Sequence, residues 1–79
     1  MTADQQEVSL RAELRLVEEE LAELRRAAAE IRKQIGERSE APTDSAEISA
    51  LITTAEEQEA LAKILEARRD ELKERLGAR

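Results

Sequence analysis

The sequence predicts an all-α protein, an antiparallel two-helix coiled-coil hairpin, on three observations. Aromatic residues are absent and 41% of the 79 residues are charged, a composition dominated by Ala, Glu, Leu and Arg that belongs to long helices rather than sheets. Apolar residues recur at alternating spacings of three and four in two separate stretches, which is a heptad seam. Between the stretches the period is lost around the only proline, Pro42, and a proline pushes the preceding residue out of helical geometry.

The first helix is expected over about residues 4–37. Its seam is Leu10, Leu14, Val17, Leu21, Leu24, Ala28, Ile31 and Ile35 without a break. Gly36 follows the last seam residue, where a left-handed glycine would end the helix. The turn is expected over about 37–44. Asp44-Ser-Ala-Glu47 then reads as a capping box, in which Asp44 caps and Glu47 reaches back to the cap's own amide.

The second helix is expected over about 45–77, closed by Gly77. Its seam, Ile48, Leu51, Ala55, Gln58, Ala62, Leu65, Arg69, Leu72 and Leu76, is interrupted by Gln58 and Arg69. Ile52, Leu61 and Ile64 lie beside that stripe, so the apolar surface is wider than a two-helix contact needs. Two helices along one narrow seam make a small core, and burying a further face would add about 25 cal/mol per Å2. A homodimer in a four-helix arrangement is therefore expected, with Leu51, Ile52, Leu61, Ile64, Leu65 and Leu72 as its interface. A continuous helix that dimerises is the alternative the seams leave open.

The residue types present bound the chemistry. The chain has no His, Cys, Trp, Tyr or Phe. An imidazole base, a thiol nucleophile and a structural zinc site cannot be built without His or Cys, so the chain is read as not an enzyme and as needing no cofactor. Nineteen acids against thirteen bases give a net charge of −6, which repels phosphate backbones, and no aromatic ring is present for bases to stack on. Direct nucleic-acid binding is not expected. Neither a membrane span nor an apolar leader is visible, so a cytoplasmic protein is expected.

From Glu37 to Glu59 seven acids face Arg38 alone, a local balance of −6. Counted along the sequence, the turn end carries the whole net charge, and the hairpin is expected to be electrically polar along its length. Asp44 and Glu47 sit at that end. Two carboxylates do not make a metal site, but they could hold Mg2+ jointly with ligands from another macromolecule.

Several of these residues follow an ordered pattern. Leu10-Arg-Ala-Glu13-Leu14 is followed by Arg26, Glu30-Ile31, Ile35, Glu37 and Arg38. Then come Asp44-Ser-Ala-Glu47 and Ala55-Glu56-Glu57-Gln58. In this order the chain resembles the N-terminal coiled-coil domain of Gre-type transcript cleavage factors of bacterial RNA polymerase. The resemblance implies a helical hairpin, RNA polymerase as partner, and Asp44 and Glu47 as accessory Mg2+ ligands in transcript cleavage. Ile48 and Leu51 stand where that family has Asn and Tyr, and the family's C-terminal globular domain has no counterpart in these 79 residues. The leading expectation is a non-enzymatic protein–protein interaction module that self-associates; the Gre-like role is the alternative.

Overall fold

The computed structural model describes residues 3–38 and 44–78. The turn expected around Pro42 lies outside them. The described chain is two α-helices, α1 (Ala3–Arg38) and α2 (Ser45–Gly77), packed against each other as a hairpin. No strand is present among the described residues. The shape is a rod of 61 × 17 × 14 Å. Its radius of gyration is 17.8 Å, against about 12 Å for a compact domain of this length.

Why the helices pair antiparallel can be read from two features. The seams are mirror images. Leu10, Leu14, Val17, Leu21, Leu24, Ala28, Ile31 and Ile35 match Leu76, Leu72, Arg69, Leu65, Ala62, Gln58, Ala55 and Leu51 in turn, the two numbers of every pair adding to 86. Ion pairs between the helices follow that register, Arg25 with Glu66, Arg32 with Glu59, Arg68 with Glu13 and Arg38 with Glu47. Their sums fall within five of the same value. Every seam residue of both helices is buried or half-buried.

Charge is the second feature. In α1 the residues before Arg25 are strongly acidic and those from Arg25 onward are basic on balance; α2 has an acidic first half and a slightly basic second half. Antiparallel pairing sets acidic halves against basic ones, whereas parallel pairing would oppose like charges.

The same arrangement corrects the expectation of a turn end carrying the whole net charge. That count omitted Arg25, Arg26, Arg32 and Lys33, which the hairpin folds alongside the acidic half of α2. Residues 25–38 and 44–62 together carry seven acids and five bases, or −2, and residues 3–24 and 63–78 carry eleven and seven, or −4. Among the described residues the net charge is therefore shared between the two halves of the rod and not gathered at the turn end.

The fully packed core is thin. Val17, Leu21, Ala28, Ala55, Ala62 and Leu72 are buried, and half of these are alanines. Leu72 is completely enclosed. Small residues at Ala28, Ala55 and Ala62 limit the area removed from water even as they permit close approach of the two backbones.

The helix ends differ from expectation in one respect. Asp44 caps α2 from extended backbone geometry, its carboxylate accepting from the Ala46 amide at 3.0 Å. Gly36, however, is helical, α1 continuing to Arg38, and neither Gly36 nor Gly77 has a positive φ. At the far end of α2 the Ala78 amide donates to the Glu74 carbonyl at 2.9 Å in ordinary right-handed geometry. The left-handed glycine caps are absent because helical hydrogen bonding continues through both glycines.

Candidate protein-interaction surface

A heptad places seven positions around each helix, a and d in the seam, e and g flanking it, and b, c and f outside. With the seams above, Ile35 of α1 and Ala62 of α2 are a residues. Antiparallel helices bring g beside g and e beside e. The ion pairs agree: Glu13 and Arg68 are both g residues, whereas Arg25, Glu66, Arg32 and Glu59 are all e residues. The hairpin therefore has two distinct flanks, one built from g and c positions and one from e and b.

Charge divides unequally between them. The g/c flank holds the acids Glu13, Glu20, Glu23, Glu30, Glu37, Glu47, Glu57 and Glu71 against Arg68 and Arg75, a balance of −6. The e/b flank holds six acids and six bases and is neutral. One side of the rod thus carries a charge equal to that of the whole molecule.

Both bases on the acidic flank are engaged within the chain. Arg68 donates through Nε to Glu13 Oε1 at 3.1 Å and its Nη1 lies 3.1 Å from Glu71 Oε2; Arg75 Nη2 donates to Glu71 Oε1 at 2.7 Å. Hydrogen bonds from the Arg68 guanidinium to Glu13 and then Glu71 raise its pKa, against partial desolvation that lowers it. Glu20, Glu23, Glu30 and Glu57 have no ion-pair partner among the described residues.

This acidic flank also carries most of the bare apolar surface. Leu16, Leu61 and Ile64 occupy c, g and c positions and are 60%, 51% and 64% exposed. Val8, 67% exposed, is on the other flank. By the register of 86, Leu61 and Ile64 lie level with residues 25 and 22 of α1, near the middle of the rod. A shallow concavity of about 360 Å3 lined by Glu20, Glu23, Leu24 and Ala27 occupies the same level of the same flank. The surface is an apolar centre bounded by carboxylates.

The residues expected to form an interface do not all share this surface. Leu72 is fully buried and Leu51 and Leu65 are half-buried; all three belong to the seam that closes the hairpin. They are committed to the intrachain core. Ile52 is half-buried at an e position, nine residues from Leu61 and so about half a turn round the helix from it. Only Leu61 and Ile64 of the six are left exposed. Leu16 and the α1 carboxylates were not anticipated; their c and g positions were the available signal, and it becomes meaningful only once the antiparallel register is known.

At the turn, Asp44 is occupied as the cap of α2, and Glu47 Oε1 accepts from Arg38 Nη1, tying the end of α1 to the start of α2. Glu47 is thus paired across the turn. No group of three metal-capable side chains occurs among the described residues, and no helix among them is long and apolar enough to cross a membrane. No protein-family model, curated protein or solved structure matches the chain.

Proposed function

We propose that this chain is a non-enzymatic protein–protein interaction module, a helical hairpin whose g/c flank is its docking face. One observation carries the reading. Each seam is already satisfied by the other helix, yet Leu61, Ile64 and Leu16 stand largely bare on a single flank. Scattered exposed apolar side chains need no explanation, but Leu61 and Ile64, one turn apart on α2 on a flank rich in carboxylates, have the pattern of a recognition surface. Burial of such a strip by another helix would also enlarge a core that is small for independent stability.

The absence of His and Cys supports a role without chemistry of its own. Asp44 caps through Oδ1 and Glu47 meets Arg38 through Oε1, so a Gre-like metal role would rest on their second carboxylate oxygens; the bare apolar flank favours the docking reading.

A photo-crosslinking residue at position 64, compared with one at Ala67 on the outer face of α2, tests the proposal in the source cell. Covalent attachment to a polypeptide from position 64 and not from 67 is expected. Equal or no attachment from the two positions would remove the docking face.

A further inference from the structure

Building on the interaction-module reading, we infer that the occupant of the g/c flank is a basic amphipathic helix rather than a second copy of the chain. Leu61 and Ile64, with the concavity beside Ala27, offer an apolar strip at mid-rod. Glu20, Glu23, Glu30 and Glu57 surround it and have no ion-pair partner among the described residues. A helix with apolar residues at i, i+3, i+4 and i+7 lays its stripe along such a strip, as helix-in-groove partners do. Lysines and arginines beside the stripe then meet the four carboxylates.

Charge selects among occupants. A second copy using the same flank would bring −6 against −6, and like charges across an interface oppose association. A neutral helix would leave the carboxylates facing apolar surface, with desolvation uncompensated. Nucleic acid and anionic lipid are repelled for the same electrostatic reason. A basic helix satisfies both the apolar centre and the acidic rim.

The test uses the full chain and a fluorescently labelled synthetic helix of three heptads, with leucine along one face and lysine on both sides of it. A matched helix with glutamate in place of lysine is the control. Binding is read by anisotropy at low and high salt. The lysine helix is expected to bind and the glutamate helix not to, with affinity falling as salt screens the charges.

Two charge-matched variants separate site from bulk charge. Glu20→Gln, Glu23→Gln, Glu30→Gln and Glu57→Gln together should weaken binding at least about tenfold, the sum expected of several surface pairs. Glu18→Gln, Glu19→Gln, Glu56→Gln and Glu74→Gln together, off the flank, should change it less than about twofold, the loss from bulk charge being small at screened distances. Equal losses, or no binding of the lysine helix, overturn the inference.

Sedimentation of the chain alone distinguishes the two levels of the reading. Self-association abolished by Ile64→Ser would keep the docking face and replace its occupant by a second copy. No self-association, no peptide binding and no crosslink from position 64 would remove both.

Discussion

Arg32 of α1 and Glu59 of α2 meet across the helix pair in a two-pronged ion pair, Nε donating to Oε2 at 3.1 Å and Nη2 to Oε1 at 2.8 Å. Two-pronged geometry fixes the direction of both planar groups as well as their separation. With Arg25 and Glu66 it runs along the neutral e/b flank, away from the bare apolar residues Leu61 and Ile64 at mid-rod. Glu13 with Arg68 adds a cross-helix pair on the g/c flank, so both sides of the rod hold the hairpin in register, while the bare apolar residues at mid-rod, Leu61 and Ile64, lie on the g/c side.

The Arg32 hydrogen bonds, and Arg32 and Lys63 as nearby positive charges, hold the Glu59 carboxyl below its ordinary range, against desolvation acting the other way. A depressed folded-state value means that the unfolded chain binds the proton more readily. The pair's contribution is therefore complete above the ordinary glutamate value and lost as pH falls through the lowered one. The Tm difference between wild type and Glu59→Gln, followed by circular dichroism, should shrink across that acidic window. In neutral buffer, Arg32→Glu and Glu59→Arg should each lower Tm, and the double swap should recover most of the loss. A swap no better than the sum of the singles would show that the pair does not set register.

Gln58 lies in the seam of α2, in register with Ala28, and its Oε1 is buried without a hydrogen-bond partner. An unsatisfied buried acceptor costs about 1–3 kcal/mol. Gln58→Leu removes that cost and fills the stripe, so it should stabilise the hairpin by about 1–2 kcal/mol, seen as a higher urea midpoint at unchanged m. A lower midpoint would mean that the amide is satisfied in solution. Polar residues in a seam restrict how helices pair, so the same variant should also associate more readily in sedimentation.

Leu72 and Leu16 are both leucines on a helical rod, and they should respond very unequally to truncation. Leu72 is completely enclosed whereas Leu16 is 60% exposed. A buried leucine cut to alanine loses about 2–5 kcal/mol, comparable with the whole stability expected of so small a core. Leu72→Ala should abolish most ellipticity at room temperature, and Leu16→Ala should leave the thermal midpoint nearly unchanged. Similar small effects from both would place the packing seam elsewhere.

How far the sequence revealed this arrangement follows from the range of the interactions involved. The seam residues were legible because heptad spacing is local and both helices obey it, even at Arg69. Its side chain is only 25% exposed while Nε reaches the neighbouring Asp70 at 3.0 Å, as expected when an aliphatic stem packs and a charged head reaches outward. The Asp44 cap was legible for the same reason, being a contact two residues long. Glu47 was not, since its Arg38 partner lies on the other helix. Nor was the acidic flank. Its carboxylates alternate between helices, and linear counting assigned the charge to an end of the rod when it lies along a side.

Gly36 gives the clearest case in which structure reverses the sign of an expectation. A left-handed glycine cap would make Gly36→Ala destabilising, because a Cβ strains positive φ. Gly36 is instead helical without positive φ, and a Cβ built there would meet nothing within 4 Å. Alanine in a helix is favoured over glycine by about 0.5–1 kcal/mol, largely through the smaller entropy of the unfolded chain. Gly36→Ala should therefore raise stability, by the lower part of that range because the site is two residues from the end of α1. Urea unfolding followed by circular dichroism reads the change directly. A drop of about 1 kcal/mol would mean that α1 ends at Gly36 in solution with the left-handed backbone that the heptad pattern first suggested.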